Sequence, residues 1–147
     1  MSSFLRPVIA TMLAVAALVL VAMAPATAGG RPFTVDLTGE AEVNAAGVPN
    51  QGDLDGSGTA VLRVNPGLGQ VCWTITVSGI DPVTGAHIHE APATTTGPVV
   101  VPLAPYTDGC TDVDRELALD IIRNPSDYYV NVHTATFPGG ALRGQLG

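Results

Sequence analysis

From residue 59 to residue 78 hydrophobic and polar positions alternate almost without a break. Ala60, Leu62 and Val64 fall on one side of an extended chain, with Thr59 and Arg63 on the other. Beyond the turn PGLG at 66–69, Val71, Trp73, Ile75 and Val77 alternate with Cys72, Thr74, Thr76 and Ser78. Successive side chains of a strand point to opposite faces, so a period of two marks a strand buried on one side only. Two such runs joined by a tight turn predict a β-hairpin.

The same reading extends along the chain. PFTVDLTGEAEV (32–43) predicts a first strand region, and NAAGVPNQGDLDGSG (44–58) is too rich in Gly, Asn and Asp for regular structure. GAHIHE (85–90) predicts a short strand and GPVVVPL (97–103) another, its valine triplet suggesting burial on both faces. VDRELALDIIRNP (113–125) changes period: Leu117, Ile121 and Ile122 recur at helical spacing, and Asn124-Pro125 ends the run. Asp112 or Asp114 is its candidate N-cap. DYYVNVHTATF (127–137) and ALRGQL (141–146) are the last strands, joined by the PGG turn at 138–140. Seven or eight strands and one short helix predict an all-β, antiparallel Greek-key sandwich or barrel.

Residues 1–28 stand apart from this pattern. Arg6 precedes the apolar run VIATMLAVAALVLVAMA, and Ala26 and Ala28 occupy the −3 and −1 positions of a signal-peptidase site. A retained membrane anchor is the competing reading, because the run nearly reaches spanning length; the Ala-x-Ala ending and the polar GGRPFT after it favour cleavage. The expectation is a signal peptide at 1–28 and a single secreted domain at 29–147, released or kept in the cell envelope. That domain keeps five arginines and no lysine against thirteen acids, a formal charge of −8. Such a balance disfavours nucleic acid, which needs clustered basic residues, and anionic lipid as well. In an exported chain Cys72 and Cys110, the only cysteines, most simply form one disulfide, with free thiols or metal thiolates as the alternatives.

The chemistry lies in three histidines. His87 and His89 share one face of their strand, with Ile88 opposite. In YYVNVHT, Val130 and Val132 face the core, which puts His133 outward with Asn131 and Tyr129. If the two strands are neighbours, three imidazoles converge, a donor set that suits copper, or zinc as second choice, with a coordination position left open. Polar surface residues are the plainer reading of the same pattern. Other candidates are weak. DLDGSG (53–58) begins like a calcium loop, but Val64 stands where an EF-hand needs Glu. Ser57, Ser78 and Ser126 lack a nucleophile elbow, and Asp112, Asp114 and Glu116 suit the start of a helix. Tyr128 and Tyr129 could line a carbohydrate face, although at least one of them, with Trp73, belongs to the core pattern.

LTGEAEV, GAHIHEAPATTTGPVVVPL and IIRNPSDYYVNVHTATFPGGALRGQL together resemble the CHRD domain, first recognised in chordin and common in secreted bacterial proteins; the resemblance spans residues 33 to 146. It implies an extracellular β-sandwich module with an unassigned biochemical role and an unknown extracellular partner. GAHIHE and YVNVHT also resemble two copper-ligand strands of copper/zinc superoxide dismutases. That likeness implies copper ligands at His87, His89 and His133, and Arg143 as an anion-attracting residue, an alternative to an arginine that pairs with an acid on the sheet. No histidine lies between 89 and 133 to bridge a second metal. Metal binding without turnover is therefore the leading expectation; a copper-only dismutase-like enzyme and a purely structural envelope domain are the alternatives.

Overall fold

The computed structural model describes residues 29–147; the expected signal segment and its apolar run lie outside the described residues. The elements are β1 (Arg31–Thr38), β2 (Ser57–Asn65), β3 (Gln70–Ser78), β4 (Val83–Glu90), β5 (Val99–Pro102), β6 (Asp108–Asp112), α1 (Arg115–Arg123), a 3-10 turn (Pro125–Asp127), β7 (Tyr128–Thr134) and β8 (Leu142–Gln145). The eight strands form one antiparallel sheet in the order β5-β4-β7-β8-β1-β2-β3-β6. Its two edge strands are consecutive in sequence, so the sheet curls into a nearly closed barrel. The β3–β4 connection crosses the sheet, and β6 returns beside β3, which is the over-and-back path of a Greek key.

The period-two positions fill the barrel. Phe33, Val35 and Leu37 of β1, Ala60, Leu62 and Val64 of β2, and Val71, Trp73 and Ile75 of β3 are buried in one core with Ala86, Ile88, Val130 and Val132. The β2–β3 hairpin forms with Leu62 opposite Trp73. Helix α1 closes the core with Ala118 and Ile121. Burying a side chain of this size stabilises by about 1.5–3 kcal/mol, so the alternating pattern is the main driving force for the fold.

Four expectations need correction. Val99 is 49% exposed and only Val101 of the valine triplet is fully buried, because β5 is an edge strand paired to β4 alone. Strand β6 has no hydrophobic alternation to announce it; its sequence DGCTD is added to β3 through the backbone ladder, with Cys110 directly opposite Cys72. Asp114 occupies the N-cap position of α1 but makes no side-chain cap bond. The first strand ends at Thr38, and Gly39–Val43 folds over the outer side of the sheet, where Glu42 is buried. The disulfide between Cys72 and Cys110 is formed. Among the described residues no helix is long and apolar enough to cross a membrane.

Candidate metal centre

Strands β4, β7 and β8 are neighbours, and their register sets the site. His89 lies opposite Tyr129, His87 opposite Asn131, and Gly85 opposite His133; Asn131 in turn lies opposite Arg143 of β8. The outward side chains of these three strands are not left in water. The loop at 91–98 and the segment at 39–43 cover them, so His89, Asn131, Arg143 and Tyr129 are all buried although they face away from the core. The plain surface reading fails for His89, which is buried, while His87 and His133 are half-buried. Tyr128 and Tyr129, 1% and 2% exposed, offer no carbohydrate platform.

The three imidazoles converge. One ring nitrogen from each of His87, His89 and His133 lies within 4.8 Å of the others. Ring centroids are 5.0 Å apart for His87 and His133, 5.6 Å for His87 and His89, and 6.2 Å for His89 and His133. Two nitrogens bound to one ion at about 2.0–2.1 Å can be at most about 4.1 Å apart. Three nitrogens on one ion lie closer still, about 3.4–3.6 Å apart, so the rings must rotate inward together to reach a single ion. Gly85 keeps the floor of the site low: a Cβ there would touch His87 Cε1 at 3.4 Å and His133 Cδ2 at 3.5 Å.

Backbone carbonyls decide the tautomers. His89 Nδ1 lies 2.9 Å from the Gly97 carbonyl, and His133 Nδ1 lies 3.1 Å from the Pro138 carbonyl. A carbonyl only accepts, so both Nδ1 atoms carry the proton and both Nε2 atoms keep a lone pair. His89 Nε2 is buried with no hydrogen-bond partner. Such an orphaned acceptor costs about 1–3 kcal/mol unless something else occupies its lone pair, and a metal ion would. His133 Nε2 lies 3.1 Å from His87 Nδ1.

Electrostatics keep the rings neutral, the ligating form. The His87 pKa is pushed down by burial and by the neighbouring His133 and His89. That of His89 is pushed down by burial and the Arg143 charge, against the opposing bond to Gly97. Burial and His89 push the His133 pKa down, against the bond to Pro138.

Arg143 is 1% exposed. Its two terminal nitrogens donate to the carbonyls of Thr95, at 3.0 Å, and Pro92, at 2.9 Å, and its guanidinium lies 3.5 Å over the Tyr129 ring. Tyr129 also stacks on His89, with centroids 4.9 Å apart and planes 11° apart. Three partners escaped the sequence reading. The Gly97 and Pro138 carbonyls carry no side-chain signal. Glu42, which accepts a hydrogen bond from Asn131 Nδ2 and whose pKa is raised by burial, sits in a segment read as strand. Cys72 and Cys110 take no part in the centre; the disulfide removes the thiolate alternative.

Fold and site together define an all-β module whose loop-covered outer face holds a three-histidine cluster compatible with a metal ion. The CHRD domain family model matches residues 33–146, and the chain belongs to that family of extracellular modules. No curated protein and no solved structure matches the chain. The dismutase likeness rests on the two histidine motifs alone.

Proposed function

We propose that this CHRD domain is a secreted module that binds one transition-metal ion, copper in preference to zinc, through His87, His89 and His133. The observation that carries the reading is His89 Nε2, a buried lone pair without a partner beside two other imidazoles. An all-imidazole donor set with neither thiolate nor carboxylate suits copper, which also leads zinc in the intrinsic affinity order. When bound, the ion would supply a Lewis-acidic, redox-capable centre; the chain's part is to hold three neutral nitrogens in a half-buried cluster.

Binding is favoured over dismutase-like turnover by the environment of Arg143. A guanidinium closed in by two carbonyls and an aromatic ring is not presented to an arriving anion. The sequence features of 1–28 support export, and mature protein beginning at Gly29 is the expected product on N-terminal sequencing of secreted material.

The deciding experiment is copper and zinc titration by calorimetry of the mature protein beside a His87→Ala/His89→Ala variant. One copper bound with sub-micromolar affinity, lost in the variant, is the expected result. No binding, or binding indifferent to the substitutions, would leave a structural envelope domain. Rapid superoxide decay by the copper-loaded protein, abolished in His133→Ala, would move the reading to the enzyme.

A further inference from the structure

Arg143 touches none of the three histidines by hydrogen bond, yet it organises the loop that one of them depends on. Its guanidinium binds the Pro92 and Thr95 carbonyls, the two ends of one turn closed by a Thr95 N–H to Pro92 carbonyl bond of 3.2 Å. Gln145, two residues on and on the same side of β8, donates to the Ala91 carbonyl at 2.8 Å. The loop is thus splinted to β8 at three carbonyls.

Two residues beyond Thr95 the loop delivers Gly97. Its carbonyl accepts the His89 Nδ1 proton, and its N–H donates to the Tyr129 hydroxyl at 3.3 Å. Gly97 is packed so closely on the end of β4 that a Cβ would fall 1.9 Å from the Glu90 carbonyl oxygen. Tyr129 completes the circuit by stacking on His89 and lying under the Arg143 guanidinium. Each link is constrained: a planar two-pronged donor, a glycine at a position that admits no side chain, and an aromatic ring between two flat groups.

We propose that Arg143 is a positioning residue of the metal centre. By clamping the Pro92 and Thr95 carbonyls it holds the 91–97 loop over the site, and through Gly97 it fixes His89 with its proton on Nδ1 and Nε2 turned to metal binding. The inference rests on the metal-binding reading, and its test separates the two. Outer partners that orient a ligating histidine typically change metal affinity 10–100-fold when removed.

The sign of the effect discriminates between roles. A fixed positive charge near a cation site weakens binding, so Arg143→Gln would tighten copper binding if charge alone mattered. A lost splint would weaken it. The experiment is long-range ¹H–¹⁵N NMR of the metal-free protein, reading the His89 tautomer, with copper affinity and thermal melts on the same samples. Wild type should show His89 protonated at Nδ1. Arg143→Gln should give a mixed tautomer and copper binding about 10–100-fold weaker, with Arg143→Lys recovering part of both. A folded Arg143→Gln protein with an unchanged His89 tautomer, or with tighter copper binding, overturns the proposal, as does a lowered melting temperature alone. Should that variant not fold, Arg143→Lys decides, since it keeps the charge but cannot span both the Pro92 and Thr95 carbonyls: a His89 tautomer and a copper affinity both equal to wild type there sink the idea. If wild type binds no copper while the tautomer still shifts, the positioning role stands and the metal reading falls.

Discussion

His87 Nδ1 donates its proton to His133 Nε2 across 3.1 Å, and the direction of that bond is set by Pro138. The Pro138 carbonyl claims the other nitrogen of His133, so His133 Nε2 can only accept. The proton between the two rings therefore stands where a metal ion bound by both would stand. Binding at His133 Nε2 requires this hydrogen bond to break, by rotation of the His87 ring or by movement of its Nδ1 proton.

Substitution of His133 tests that relationship. His133→Ala should weaken copper binding at least 100-fold, while the loss of its two hydrogen bonds costs the metal-free fold about 1–3 kcal/mol. Copper at 100 times its Kd should stabilise wild type by about 2.7 kcal/mol. Thermal melts with and without copper would show both effects, and a copper-dependent shift that survives in His133→Ala would count against the site.

The pH dependence follows from the lowered pKa values of His87, His89 and His133. Protons bind the unfolded histidines, with ordinary values near 6.5, more readily than the folded ones. Their contribution to stability is therefore present in full above pH 6.5 and is lost as pH falls from there through the lowered folded values. Urea midpoints of the metal-free protein should decline across that window. The decline should shrink in the His87→Ala/His89→Ala variant, which has fewer histidines left to titrate.

Gly85 sets the room available to the rings. Its imagined Cβ makes ordinary contacts with His87 and His133, so Gly85→Ala should fold and retain metal binding. Gly85→Leu extends the side chain into the space the rings occupy and should abolish binding, with a larger loss of stability of about 1–3 kcal/mol from overpacking. Equal copper affinity in the two variants would show that the rings do not need this floor.

The disulfide should matter for stability and not for metal. Cys72 and Cys110 are 38 residues apart, and opening a loop of this length costs about 4 kcal/mol in the chain-entropy account. A Cys72→Ala/Cys110→Ala variant should melt roughly 10 °C or more below wild type. Its copper affinity should be unchanged, because β3 and β6 supply none of the three imidazoles.

Much of this protein is legible without coordinates because a strand's two faces are written in alternate residues. The core positions of β1, β2 and β3, the outward direction of His87, His89 and His133, and the hairpin partners need only the period of two. The disulfide is legible from the presence of just two cysteines, on the expectation of export. Strand β6 escaped because pairing at a sheet edge uses backbone groups, which every residue carries. Tertiary structure alone decided that β4 and β7 are neighbours and that the histidine face is roofed by the 91–98 loop. It alone chose the tautomers, through the carbonyls of Gly97 and Pro138. Which strands meet, and which carbonyl faces which ring, depends on the path of the whole chain, and no local run of side chains records that path.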